Sequence, residues 1–357
     1  MPSFDAVPEQ HEARRLLAAA LAEGPAHAYL LHGPAGTGKR RAAFALAAAL
    51  LGDPRRVNER THPDLYVLEA LGEMIRIDEI RELRRDLHMR PFEADRRVYL
   101  ILDAHLLNAD AADALLKDLE EPPPYAVIVL VADELGPLPP TIRSRCQLVP
   151  FRRLSGKAVR EWIAAEAPGL APAHVNALAR VAAGRLDRAR RLLDASAAEH
   201  RTALLAVARG PYLDPEFEPG DASAALLAAA DARGVQARDD EERSLEGQDL
   251  TQRELEQRLK RAQRGAEREE LLASLEELAA WYRDLVVVAA GAESAVVHAD
   301  RLEELRADSS AERSEGAGRA AEAVRASWRA LEEFNLNPQL ALEALFVQLR
   351  QEFPAAR

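Results

Sequence analysis

The chain has 357 residues, enough for two or three domains, and its 48% hydrophobic and 30% charged content is that of a globular protein. Its one cysteine, Cys146, excludes a disulfide framework and a four-cysteine zinc site within one chain. A net charge of −12 argues against a protein that coats nucleic acid alone; no apolar run is long enough to span a bilayer, and the start lacks a basic region with an apolar core, so a cytoplasmic location is expected.

Phe4 to Glu23 patterns as an amphipathic helix, ended by Gly24 and Pro25. Ala28 to Leu31 is a short buried strand that runs into Gly33-Pro34-Ala35-Gly36-Thr37-Gly38-Lys39. This is G-x-x-x-x-G-K, the phosphate-binding loop between a strand and a helix. Glycines let the backbone wrap close to phosphate, and backbone N–H groups at the helix start face the anion. Lys39 is placed to reach the outer phosphates. The next position calls for Ser or Thr, whose hydroxyl ligates Mg²⁺, and here it is Arg40. The helix after the loop is expected over Arg41 to Leu51.

Arg55 to Pro63 reads as a polar turn, Asp64 to Glu69 as a strand, and Ile77 to Met89 as a helix with Ile80, Leu83 and Leu87 on one face. Val98 to Leu102 is an uninterrupted apolar run ending in Asp103, which predicts a buried parallel strand with a carboxylate at its C-terminal end, the edge where ligands sit in open α/β sheets. A helix (Ala109 to Glu120), a buried strand (Ala126 to Ala132), a turn carrying Ile142 to Cys146 and a last strand (Gln147 to Phe151) follow. Strands alternating with helices give an α/β doubly wound parallel sheet up to about Phe151.

No strand pattern persists beyond Ser155. Helices are expected over Ser155 to Ala167, Ala173 to Ala182, Leu186 to Ala195 and from His200 to Ala208. Gly210 to Gly220 is Pro- and Gly-rich and reads as a loop. Glu254 to Ala289 reads as one long helix, charged at first as a solvated, salt-bridged face and apolar at its end. Ser309 to Gly318 reads as a polar break before two last helices, Ala320 to Phe334 and Pro338 to Phe353. The charged stretch from Asp239 to Glu270 has no reading beyond its charge.

Five stretches together resemble the clamp-loader branch of the AAA+ proteins, on the side of the delta-prime subunits of bacterial DNA polymerase III. They are HAYLLHGPAGTGKRRAA, THPDLYVLE, VYLILDAHLLNADAADALLKDLEEPPPYAVIVLVA, PLPPTIRSRCQLVPF and FNLNPQLALEALFVQLR. The first four cover nearly all of the N-terminal domain, and the fifth only the last helix. The resemblance implies an AAA+ P-loop core (1–152), a small helical lid (153–200) and a helical collar (201–357) that holds a hetero-pentameric ring together. The implied partners are clamp-loader motor subunits, the delta subunit, a sliding clamp and, through the assembly, primed DNA.

In a working ATPase of this branch, the strand ending at Asp103 is followed by Glu, which polarises the attacking water while Asp helps hold Mg²⁺. Ala104 stands there instead, and Ala132 and Asp133 replace the Thr or Asn expected to sense the γ-phosphate. Arg40 and Ala104 together argue against hydrolysis. His105 is read as an exposed helix-entry residue rather than a substitute base. For Gly33, Gly36, Gly38 and Lys39 two readings stand level: ATP or ADP held without hydrolysis, or an inherited turn. The resemblance implies that Ser144 and Arg145 form an arginine-finger motif reaching a neighbour's γ-phosphate; the plainer reading pairs Arg145 with a local carboxylate. Many relatives carry a four-cysteine zinc module after the P-loop helix. It is missing here, so no zinc is expected and His62 is read as structural. Basic clusters at Arg81/Arg84/Arg85, Arg152/Arg153 and Arg185/Arg188/Arg190/Arg191 are read first as solvated faces and second as weak, salt-sensitive phosphate contacts. The function expected is a non-hydrolysing clamp-loader subunit. The alternatives are an ATP-hydrolysing AAA+ motor subunit or related replication ATPase and, third, a small-molecule kinase.

Overall fold

A computed structural model describes residues 8–70, 74–193, 195–245, 251–333 and 336–353. They form two compact units. One comprises the chain up to Trp162 together with Gly184–Arg188; the other comprises Ile163–Ala183 and the chain from Ala189 onward.

The first unit is built on a parallel sheet of five strands: β1 (Ala28–His32), β2 (Leu65–Leu68), β3 (Arg97–Ile101), β4 (Ala126–Ala132) and β5 (Gln147–Pro150), in the order β2-β3-β4-β1-β5. The apolar runs of β3 and β4 are buried throughout, as strands covered on both faces must be. Their side chains alternate between two cores. Tyr29, Leu31, Val98, Leu100 and Val129 pack against α1 (His11–Glu23) and α2 (Lys39–Leu51). Leu30, Tyr99, Ile101, Ile128 and Leu130 pack against α4 (Ile77–Leu87) and α5 (Ala109–Glu120). Residues 4–7 of the expected first helix lie outside the described residues.

Two details differ from the sequence pattern here. The helix after the loop starts at Lys39 rather than Arg41, because Gly38 takes a left-handed conformation as its N-cap. The segment read as a turn contains a short helix, α3 (Pro54–Asn58), capped by Asp53, whose carboxylate accepts from the Arg56 N–H at 3.0 Å. Asp before Pro is a helix-start signal in its own right. The buried His62 ring Nδ1 accepts from the Asp64 N–H at 3.1 Å, so it shapes the turn into β2.

Beyond β5, a four-residue α6 (Pro140–Arg143) having preceded it, the described chain is helical: α7 (Gly156–Glu166), α8 (Pro172–Ala182), α9 (Leu186–Leu193), α10 (Ala195–Leu213), α11 (Pro219–Ser244), α12 (Gln252–Ala289), α13 (Leu302–Asp308), α14 (Ala311–Glu333) and α15 (Pro338–Glu352). Trp281, Tyr282, Leu275, Leu278 and Phe346 centre the core of the second unit. The loop expected over Gly210 to Gly220 is corrected to a short connection: α10 runs through Pro211, and α11 starts at Pro219. Pro211 has no N–H to give to the carbonyl four residues before it, and it stands in the last turn of α10, whose end Arg350 caps by donating to Pro211 O and Asp214 O at 2.9 Å each. The polar break over Ser309 to Gly318 is likewise corrected to two residues, since α14 begins at Ala311 with Ser310 accepting from the Arg313 N–H at 3.2 Å. Gly316 is helical because α15 ends against it: a Cβ there would lie 2.4 Å from Glu352 O. Residues 334 and 335, at the start of the fifth resembling stretch, lie outside the described residues.

A buried polar chain runs through the second unit. His298 Nδ1 lies 2.9 Å from Asp284 Oδ2 and its Nε2 lies 3.2 Å from Glu277 Oε1. Arg201 Nε donates to the same Glu277 oxygen at 2.6 Å, and its Nη1 pairs with Asp300 at 2.5 Å. A neutral imidazole would turn one lone pair toward a carboxylate, so only the doubly protonated ring satisfies both contacts. Burial opposes that charge, but the hydrogen bonds to Asp284 and Glu277 outweigh it and hold the His298 pKa above its ordinary value.

No helix among the described residues is long and apolar enough to cross a membrane, and no group of three or more His, Cys, Asp or Glu among them is placed to hold a metal ion.

Candidate nucleotide loop and interface arginine

The loop leaves β1 at His32, next to the end of β4, because His32 is in register with Ala132. Gly33, Gly36 and Gly38 all have positive φ, at 137°, 69° and 96°. These are conformations that a Cβ disfavours, so the wrap expected of a phosphate loop forms. Lys39 is turned inward and almost wholly buried. Its Nζ donates to Gly33 O at 2.5 Å and Pro34 O at 2.6 Å, and pairs with Asp133 at 2.8 Å. Burial lowers the Lys39 pKa, with Asp133, then Asp187 and Asp103, pushing the other way.

Arg40 bridges two strand ends. Its Nη2 pairs with Asp103 Oδ2 at 2.6 Å and its Nη1 pairs with Glu69, which also takes Arg60 at 3.0 Å. Although burial opposes the charge, Asp103 and Glu69 raise the Arg40 pKa further. Asp103 sits at φ 57°, a left-handed conformation that Asp tolerates better than most residues. The Ala104 methyl is fully buried. His105 is half-buried rather than exposed, and its Nδ1 accepts from the Asp133 N–H at 3.3 Å. The residues that would hold Mg²⁺ therefore do not fit the ion: a guanidinium lies on the carboxylate that would ligate it, and no hydroxyl or water-orienting carboxylate stands at 40 or 104.

The other wall of the loop comes from Gly184–Arg188. Leu186 N–H donates to Gly36 O at 2.8 Å. A Cβ on Gly36 would lie 1.8 Å from Asp187 Oδ1. Arg185 holds Asp187, with Nη2 to Oδ2 at 2.9 Å.

Arg145 follows α6 and precedes β5. Ser144 caps the turn, its Oγ donating to Thr141 O at 3.0 Å. Arg145 Nε donates to Glu120 Oε1 at 2.8 Å, Nη2 pairs with the same carboxylate, and Nη1 donates to Thr141 O at 2.9 Å. The local-carboxylate contact is thus present. Gln147 is in register with Tyr29, so Arg145 lies at the N-terminal edge of the sheet and the loop at the C-terminal edge. The two are separated by roughly 20 Å at ~3.3 Å per strand residue. Burial pushes the Cys146 thiol up to about 12, which makes it an inert packing residue.

The basic clusters meet their own chain's acids: Arg81 pairs with Asp78, Arg84 with Asp118, Arg152 with Glu12 and Arg191 with Glu269. Glu69, Asp187 and Glu120 are the site residues that sequence reasoning did not single out, and Asp133 was noted only for what it replaces, not as a partner of Lys39. Asp133 had a signal, since it ends an apolar run as Asp103 does. The others are brought in by the fold.

Residues 9–155 match the model of the family described as DNA polymerase III, delta subunit. The chain is 35% identical over 147 residues to DNA polymerase III subunit delta′ of Bacillus subtilis and 38% identical over 158 residues to that of Pseudomonas aeruginosa, covering 38% and 40% of this chain. It is 34% identical over 168 residues to subunit tau of B. subtilis, covering 43% of this chain. It spans 45%, 48% and 30% of those three proteins' own lengths, less than half of each. Among solved structures it is similar to a DNA polymerase III gamma subunit-related protein of Thermotoga maritima, with a TM-score of 0.50 and 19% identity, covering 96% of this chain and 99% of that one. That likeness concerns the fold. Over residues 9–155 the chain is similar to the DNA polymerase III delta-subunit family and to the delta′ subunits matched above.

Proposed function

We propose that the chain is a non-hydrolysing, delta-prime-type clamp-loader subunit that presents Arg145 in trans to the nucleotide of a neighbouring ATPase subunit. The observation that carries this reading is the placement of Arg145 at the opposite sheet edge from its own loop. An arginine there is out of reach of any nucleotide on its own chain and is available to one bound next door. Arg40 and Ala104 support the non-hydrolysing half: one puts a guanidinium on the metal-binding carboxylate, the other removes the group that orients water. The same two residues count against an ATP-hydrolysing motor subunit.

In this reading the partners are motor subunits and a delta subunit in a hetero-pentameric ring, with a sliding clamp and primed DNA met through the assembly, in the cytoplasm. The pairing of Arg145 with Glu120 is the resting state, and a neighbour's phosphate competes for the guanidinium with a higher charge. Such a finger is worth about 10³–10⁵ in rate where its role has been isolated.

The test is ATP turnover by the motor and delta subunits of the same organism, with clamp and primed DNA, on adding this chain or its Arg145→Ala form. Stimulation by the wild type and none by an assembled Arg145→Ala complex is the expected result. Equal stimulation by both removes the finger role. Failure of the wild type to join the complex removes the subunit assignment.

A further inference from the structure

The loop raises a question separate from the finger: what it holds. Every cation named around it is already paired within the chain. Lys39 is on Asp133, Arg40 on Asp103 and Glu69, Arg60 on Glu69, and Arg185 on Asp187. A triphosphate entering this set would have to displace carboxylates from each cation it used, and would leave those carboxylates facing its own charge. The space is taken as well as the charge. Asp187 Oδ1 lies against Gly36, a positive-φ residue of the loop, so close that a Cβ there would meet it at 1.8 Å. The backbone fastens the same segment at two points, Leu186 N–H to Gly36 O at 2.8 Å and Leu154 N–H to Gly184 O at 3.2 Å.

We infer that the phosphate loop is an internal docking site, which holds the chain's own Gly184–Arg188 segment through Asp187, with Arg40 in the place of the metal ion, and takes no magnesium nucleotide. This decides between the two readings the sequence left level. Gly36 is bare backbone because Asp187 takes the space of its Cβ, and Gly33 because Phe151 O would lie 2.1 Å from a Cβ there, so neither glycine needs a phosphate to account for it. Arg40 is then a fitted part: a permanent cation that neutralises Asp103 and Glu69 without an exchangeable ion.

The test uses the full chain and Mg-ATP as probe, by isothermal titration, with hydrogen exchange of residues 184–188 read in parallel. The wild type should show no saturation at ~1 mM, the weak end of the ordinary binding range, and Mg-ATP should leave exchange in 184–188 unchanged. Arg40→Thr/Asp187→Ala should gain saturable Mg-ATP binding by at least ~10-fold over the wild type. Asp187→Ala alone, without nucleotide, should speed exchange in 184–188. Wild-type saturation in the micromolar range, or a wild-type exchange change on adding Mg-ATP, overturns the inference even if the variants do not fold. A folded double variant that gains no binding, or an Asp187→Ala form with unchanged exchange, overturns it as well.

Discussion

Arg40 donates to the Asp103 carboxylate at 2.6 Å across the ends of α2 and β3, and this contact sets the chemistry of the loop. A fixed guanidinium on that carboxylate supplies the neutralisation an ion would supply, but no open coordination position and no exchange. Arg40→Thr restores the hydroxyl and leaves Ala104, so it should show no phosphate release above background, because nothing orients the water. Arg40→Ala should lower stability by only about 1 kcal/mol in denaturant titrations, since the Arg40 side chain is half exposed and solvent screens the pair.

Arg145 can be removed without harming the fold. Its side chain is partly exposed and its acid partner, Glu120, more so. Such a pair contributes about 0–1 kcal/mol. Arg145→Ala should therefore shift the thermal midpoint of the first unit little, while under the proposed finger role it should sharply lower a partner's turnover. Arg145→Lys should fold equally well and fail to replace it, because a point charge on a flexible stem does not reproduce the planar fork. Calorimetry beside the turnover assay separates the two effects.

The alternation of apolar runs, the loop and the capping residues made the first unit readable, because each of those signals acts over a few neighbouring residues. Gly33 to Lys39 wraps as the spacing requires, and β3 and β4 are buried where uninterrupted apolar runs put them. The second unit was less legible for a physical reason. Gly316 and Pro211 are breakers in an isolated helix, yet here one admits the end of α15 and the other stands in a last turn that Arg350 caps at Pro211 O. Helix α11 carries little signal in the sequence, because its glycines and acidic tail have weak periodicity. Glu69 and Asp187 join the loop only through tertiary placement, so no local pattern announces them.

Asp64 makes the first unit acid-sensitive. It is fully buried, and it accepts from the N–H groups of Phe92 at 2.6 Å, Glu93 at 2.8 Å and Ala94 at 2.9 Å. Burial pushes its pKa up, but those three bonds and Arg97 bring it below the ordinary value. A depressed carboxylate contributes stability above its unfolded pKa and loses it as pH falls through the folded one. The contribution should fade below about pH 4. Asp64→Ala should cost about 3–5 kcal/mol, since it takes one of two carboxylates from the buried Arg97 and leaves it Asp86 at 2.7 Å. Urea titrations of the variant and wild type at pH 7 and pH 3 check both: the difference between them should shrink at the lower pH.

His298 gives the second unit the opposite dependence. Its folded pKa lies above the unfolded one, so the stability it contributes is complete below about pH 6.5 and is lost as pH rises through the folded value. The loss has a structural meaning. Deprotonation leaves Asp284 and Glu277 sharing a neutral ring, and removes one of the cations, beside Arg283 and Arg201, that face them. His298→Gln keeps a donor but no charge, and should cost about 3–5 kcal/mol at pH 6, the usual penalty for stripping the cation from a buried pair. Thermal melts of the second unit, followed by Trp281 fluorescence because that ring meets His298 edge-on at 5.4 Å, should fall in midpoint from pH 6 to pH 9 in the wild type. In His298→Gln the midpoint should start lower and stay level over the same range. A wild-type midpoint that rises with pH would place the proton elsewhere in the Asp284–Glu277–Arg201 chain.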